Sequence, residues 1–288
     1  MPLFRKLYIL LLAAALMFTA SCKERGPLVE SADPHEGMIE VADGSGGTMW
    51  VFLQKGVQVN DLLPRDFTAA GGRVSYSGEK YAVKYGIDVS FYQGDIDWEE
   101  VRSDGIEFAI IRAGYRGYSE GQMFEDEKFR EYAQGALEAG LEIGVYFFSQ
   151  ATTIAEAREE AELTLSIISD YDITLPVAFD WETIGFEEGR TDNVDAKTVT
   201  DCALAFCSVV REAGYEPGVY MYRRLGYSAY DLTRFGGITL WVGAAGDYPD
   251  FYYGHEFWQY SFTGRVRGIE SDVDLNLQFI PPEEQQTQ

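Results

Sequence analysis

The sequence predicts an α/β fold in which a parallel sheet or barrel is laid down by alternating strands and helices and completed by strands alone. Three observations carry this. Short apolar runs of strand length recur at Tyr85–Val89, Phe108–Arg112, Ile143–Phe148, Val177–Phe179 and Gly218–Met221. Helix-length segments separate them, at roughly Trp98–Ser103, Asp126–Ala139, Thr153–Ser169 and Asp195–Ala213. Repeated βα units of this kind build parallel sheets or barrels, because a crossover helix is what returns the chain to start the next parallel strand. After residue 236 the helical spacing fades, and Ile238–Val242, Glu256–Tyr260 and Asp274–Phe279 read as strands with short connections, so the C-terminal part is β-rich.

In chain order, residues 1–21 read as a signal peptide. Arg5 and Lys6 form a basic start, and Tyr8 to Phe18 is an apolar stretch too short for a membrane span, which needs about 20 residues. Thr19, Ala20 and Ser21 precede Cys22 as in a bacterial lipoprotein cleavage box, although Thr19 stands where Leu is usual. Cys22 is therefore the candidate lipidated residue, and residues 22–45 are its polar, Pro- and Gly-containing tether. Residues 46–84 form a small strand-rich segment with strand formers at Thr48–Leu53 and Val57–Val59 and no chemistry of their own. Residues 85–282 are the main domain. Within it, residues 153–169 set Ala and Leu at helical spacing with Glu on the other face. Gly140 and Gly214 stand where C-terminal caps belong, and Asp97 where an N-cap belongs.

Composition narrows the function. With 23 Lys+Arg against 47 Asp+Glu the net charge is -24, and removing residues 1–21 makes it more negative. Such a chain has no basic cluster for nucleic acid and is repelled by anionic polymers in the mean field. Neutral or weakly charged ligands fit better, and 5 Trp, 19 Tyr and 18 Phe are available to stack on them. The two His (His35, His255) and three Cys make no metal-ligand spacing, so no metal or cofactor is expected. Cys202 and Cys207 read as small buried apolar residues of one helix.

The chemistry concentrates at Leu175–Thr183, LPVAFDWET. Residues i and i+2 of a strand face the same side, so Asp180 and Glu182 point together at the C-terminal end of a parallel strand, the end at which barrels build active sites. Two close carboxylates repel, and one keeps its proton near neutral pH. Cleavage of a glycosidic bond needs that arrangement: an acid for the leaving oxygen and a charged partner for the developing cation. Asp88 ends a second apolar strand, in YGIDVSFYQG, and Trp258-Gln259-Tyr260 is followed by GIESDVDLN (Gly268 to Asn276).

In this order the four elements resemble the family 25 glycoside hydrolases, the Chalaropsis-type lysozymes. The GIDVSxxQG-like opening falls at Gly86–Gly94, the DxE strand end at Asp180 and Glu182, the WQY at Trp258–Tyr260 and the VDLN-like turn at Val273–Asn276; Tyr146–Phe148 fits the family's third strand. The resemblance spans about residues 85–280. It implies a modified TIM-like barrel of eight strands with about five helices, and an N-acetylmuramidase acting on the β-1,4 bond between N-acetylmuramic acid and N-acetylglucosamine of peptidoglycan glycan strands. It also implies Glu182 as general acid/base and Asp180 as stabiliser of the intermediate, with Asp88 and Asp274 completing an acidic cluster; Asp272, two residues earlier on the same face, competes with Asp274. Tyr115, Tyr146, Tyr220, Trp258 and Tyr260 are candidate sugar-stacking residues, each with barrel packing as the plainer role. Gln93 and Arg112 are candidates to touch substrate, with surface or ion-pair roles as alternatives, while Trp98 and Trp181 read as core.

With the N-terminal signals, the expected protein is an exported, membrane-anchored bacterial lipoprotein. Two other classes compete with the hydrolase: a non-catalytic glycan-binding envelope protein and a structural envelope protein using residues 46–84. A chitinase-like enzyme would need Asp at 178 and 175, where Ala178 and Leu175 stand.

Overall fold

Eight strands close into a barrel, and alternation along each strand decides what faces its interior. The computed structural model describes residues 33–185 and 189–282. The expected signal peptide, the candidate lipidated Cys22 and most of the expected tether lie outside the described residues. From Gly37 onward the chain is one compact unit.

An N-terminal arm comes first, with hairpin β1 (Met38–Ala42) and β2 (Thr48–Phe52), then hairpin β3 (Phe67–Ala70) and β4 (Arg73–Tyr76). The barrel strands are β5 (Ala82–Val89), β6 (Phe108–Arg116), β8 (Glu142–Ser149), β9 (Val177–Trp181), β10 (Pro217–Tyr222), β11 (Thr239–Gly243), β12 (Phe257–Gly264) and β13 (Val273–Ile280), while β7 (Met123–Glu125) pairs only with the end of β6. The pairings from β5 through β12 are parallel. β13 is antiparallel to both β12 and β5 and closes the ring. Five helices lie outside: α1 (Trp98–Ser103), α2 (Phe129–Glu138), α3 (Ile154–Ile168), α4 (Ala196–Glu212) and the short α5 (Arg223–Ser228). No α-helix follows β11 or β12, as the fading helical pattern predicts.

The sequence accounts for these boundaries locally. Asp97, Thr153 and Asp195 each accept a backbone N–H three residues on, at 3.0, 3.2 and 2.9 Å, which satisfies a free donor at the start of α1, α3 and α4. Gly140 and Gly214 have φ of +79° and +90°, a left-handed backbone that stops α2 and α4.

Two apolar layers result. Phe108, Ile110, Ala178, Tyr220, Trp241 and Phe257 fill the barrel interior as a floor. Gly86 belongs to this layer: a Cβ there would fall on the Phe108 ring. The outward-facing set, including Ile87, Ile111, Val145, Phe179, Met221 and Val242, packs beneath the helices. Cys202 and Cys207 are free and buried in α4.

Where helices are missing, the arm takes their place. Phe67 meets Trp258 and Phe279 edge-on, with ring centroids 5.7 and 6.1 Å apart. Tyr76 and Tyr81 reach the same Phe279 at 6.1 and 6.0 Å. Upstream, the Asn60 side-chain amide donates to the carbonyls of Pro249 and Phe251 at 3.0 and 2.9 Å. Gln54 donates to Tyr230 O and accepts from Leu232 N. Within residues 46–84, without visible chemistry in the sequence, residues 67–81 thus form an outer layer over β12 and β13, residues 54–60 hold the loops at 230–232 and 249–251, and residues 82–84 already belong to β5.

Candidate active site

At the C-terminal ends of the parallel strands lies a cavity of about 240 Å³. It is lined by Asp88, Asp180, Glu182 and Asp274, with Arg112, Tyr146, Tyr220, Tyr222 and Gln259 around them. Each carboxyl comes from a different part of the topology. Asp88 ends β5 and Asp180 is the inward residue near the end of β9; Glu182 follows one residue beyond that strand. Asp274 is on the antiparallel strand β13, whose beginning lies at the same end of the barrel, directly opposite Asp88 in the pairing. Asp272, the competing residue, instead forms an exposed ion pair with Arg265 at 2.7 Å.

Asp88 and Asp180 are 7% and 4% exposed. Stripped of water, the carboxyls resist ionisation, and their mutual repulsion adds to this. Burial, opposed by hydrogen bonds from Asn276 and Gln259, brings Asp88 to about 6. Burial and the Asp88 charge raise Glu182 to about 7 and Asp274 to about 8. Asp180 goes well above the usual carboxylate range, by burial first and then by repulsion from Glu182 and Asp88. Its Oδ1 is buried without a hydrogen-bond partner. The site therefore holds a protonated carboxyl beside an ionised one at neutral pH, the condition for general acid catalysis.

A polar scaffold holds the cluster. Gln259 Nε2 donates to Asp88 Oδ2 at 2.8 Å and Asp274 Oδ2 at 2.9 Å, and Asn276 Nδ2 donates to Asp88 Oδ2 at 2.8 Å. Arg112 donates through Nε to Asp126 at 2.7 Å, and its guanidinium lies 5.1, 5.4 and 5.3 Å from the ring centroids of Phe91, Tyr92 and Tyr115. Tyr92 (71% exposed) and Tyr222 (38% exposed) stand at the cavity mouth.

The aromatic candidates divide. Tyr146 and Tyr220 line the cavity. Tyr115 sits behind Arg112 and stacks on Phe124 with centroids 5.3 Å apart. Trp258 and Tyr260 do not line it: both are buried in the outer layer, and the Trp258 indole donates to Ala244 O at 2.8 Å. Strand parity is the reason, since with Phe257 and Gln259 facing inward their neighbours must face out. Gln259, inside the same WQY, is a candidate site residue that the motif reading passed over, along with Asn276 and the rim residue Tyr222. The period of two from Asp274 along β13 would have found Asn276, whereas no local signal on β12 marks Gln259 as inward. Gln93 bonds to Ser90 N at 2.9 Å and Asp272 O at 3.2 Å at the edge of the cavity. Trp98 and Trp181 are buried.

A closed α/β barrel with an inward acidic cluster at the strand C-termini is the architecture of a carbohydrate-processing enzyme class, and sequence comparison agrees with it. The family model glycosyl hydrolases family 25 matches residues 87–269, and the chain belongs to that family. It is 28% identical over 193 residues to the autolytic lysozyme of Clostridium acetobutylicum, covering 66% of this chain and 54% of that protein. Against lysozyme M1 of Streptomyces globisporus it is 28% identical over 205 residues, covering 66% of each. The chain thus spans about half the length of the first relative. Among solved structures, a family 25 glycosyl hydrolase from Bacillus anthracis superposes with a TM-score of 0.59 at 23% identity, covering 72% of this chain and 93% of that one. The modular autolysin LytC of Streptococcus pneumoniae gives 0.60 at 22%, covering 84% and 56%. These likenesses show the fold.

Proposed function

We propose that the protein is a muramidase that hydrolyses the β-1,4 bond between N-acetylmuramic acid and N-acetylglucosamine in peptidoglycan. The observation that carries this is the Asp180–Glu182 pair, both pushed toward protonation, in a cavity that Asp88 and Asp274 also line. Glu182 is less buried than Asp180 and acts as general acid, giving its proton to the leaving oxygen and later accepting one from water. Asp180 stabilises the intermediate. Its unpartnered Oδ1 is free to accept the acetamido N–H of the substrate. Taking up that N–H favours the charge on Asp180 and leaves the shared proton on Glu182. The acetamido oxygen is then available as the internal nucleophile. Tyr92, Tyr146 and Tyr222 offer ring faces and hydroxyls to the sugars. In support, the pneumococcal autolysin has been solved in complex with a synthetic peptidoglycan ligand.

The same reading has the chain exported and anchored through a lipid on Cys22. A Cys22→Ser variant should leave the membrane fraction; retention there removes the anchor from the account.

The decisive assay digests purified peptidoglycan with residues 23–288 and with Glu182→Gln, and identifies the new reducing ends by mass spectrometry. Reducing-end muramic acid from the parent protein, reduced by about 10²–10⁴ in rate in the variant, is expected. Equal release by both removes Glu182 from its role, and release of N-acetylglucosamine ends overturns the bond assignment.

A further inference from the structure

We propose that Gln259 and Asn276, each held in one amide orientation by an aromatic donor, are positioning residues that pin the negative charge of the cluster on Asp88 and so keep Glu182 in its acid form. The inference rests on the assignment of Glu182 as the acid.

The geometry is specific. Trp241 Nε1 can only donate, and it donates to Asn276 Oδ1 at 2.8 Å, so the Asn276 amide must turn its N–H groups the other way, toward Asp88. The Tyr220 hydroxyl donates to Gln259 Oε1 at 2.6 Å, which leaves the Gln259 N–H groups facing Asp88 and Asp274. A reversed Gln259 amide would set its oxygen against two carboxyls. Gly243 makes the Tyr220 contact possible: a Cβ there would collide with the Tyr220 hydroxyl. Gln259 and Asn276 are 2% and 0% exposed, so water does not substitute for these bonds.

The donors are shared unequally. Asp88 Oδ2 receives two N–H groups and Asp274 receives one. Hydrogen bonds to the charged form favour it, so of the two facing carboxyls Asp88 takes the charge and Asp274 the proton. The order of the two groups, about 6 and about 8, is consistent with this.

The Asp88 charge then faces Glu182 and opposes its ionisation. The other groups lining the cavity around Glu182 are Asp180 on β9, Tyr222 on β10 and Asp274 on β13. Arg112 on β6 is paired with Asp126 and opposes the rise of Asp180, and Tyr146 and Tyr220 are kept neutral by burial. Asp88 is therefore the fixed charge through which the two amides reach the acid.

The test reads Glu182 directly. Protein carrying ¹³C-labelled glutamate carboxyls is titrated by NMR, with the Glu182 signal assigned by its absence in Glu182→Gln. In Gln259→Leu the lost donors let Asp88 keep a proton, and Glu182 should titrate lower by about half a pH unit or more. Tyr220→Phe, which keeps the core volume, should move it in the same direction. The alkaline limb of kcat/KM on peptidoglycan should follow by the same amount. Glu182 titration unmoved or raised in both variants, even with activity reduced, overturns the proposal and leaves the amides a packing role. Absence of hydrolysis by the parent protein would overturn the proposed function instead, and the NMR titration would still decide this one.

Discussion

At the scale of single residues, the catalytic proposal and the stability of the chain pull in opposite directions. Glu182, Asp88 and Asp274 titrate higher folded than their ordinary values of 4.5, 3.8 and 3.8. The folded state therefore binds protons that the unfolded chain has released. Stability from these groups is fully present below the unfolded values and is lost as pH rises through about 6 to 8. Glu182→Gln should raise Tm at pH 8, with the gain vanishing as pH falls to about 3, below the ordinary value of 4.5, where the acid is protonated in either state. Thermal melts at the two pH values check this; an equal gain at both would mean that charge is not its source. The activity limb has the same origin, and kcat/KM should decline as pH rises through about 7, where the acid loses its proton.

At the scale of elements, alternation decides function. Asp180 and Glu182 on the β9 end are legible because the sequence shows a strand, its end and two acids two residues apart. The same period on β12 turns Trp258 and Tyr260 outward and Gln259 inward. Large aromatic residues draw attention as sugar platforms, yet here they serve the contact with the arm. Nothing local in the sequence says which parity of β12 is interior, because both parities are apolar or uncharged. Phe67 closes this outer contact, and Phe67→Ala should cost about 3 kcal/mol or more, read by denaturant unfolding, since it leaves a cavity against Trp258 and Phe279. A loss within error of zero would show that the arm is not part of the folded core.

At the scale of the whole molecule, the charge of -24 constrains how a wall polymer is approached. Peptidoglycan carries peptide carboxylates, so mean-field attraction is absent. On the proposed reading, binding comes from short-range stacking and hydrogen bonds, and the expected tether on Cys22 would raise local concentration. Hydrolysis by the soluble form should hold or improve as salt rises to about 0.15 M, where screening acts beyond about 8 Å. A steep loss over that range, measured by turbidity of wall suspensions, would point to attractive long-range forces.

The sequence by itself determined the βα order, the helix caps at Asp97, Gly140 and Gly214, the C-terminal shift to strands and the candidate acids, because each depends on local periodicity, capping chemistry or a short motif. Tertiary structure decided the rest. Only barrel closure shows that β13 runs antiparallel and so sets Asp274 opposite Asp88 while Asp272 turns to solvent. Only closure brings Tyr220, Trp241, Gln259 and Asn276 into one network from four strands. And only the packed fold shows Phe67, Tyr76 and Tyr81 standing in for the missing helices, because the surface they cover exists only once β12 and β13 are paired. Contacts between residues far apart in the chain follow from closure, and no local pattern encodes them.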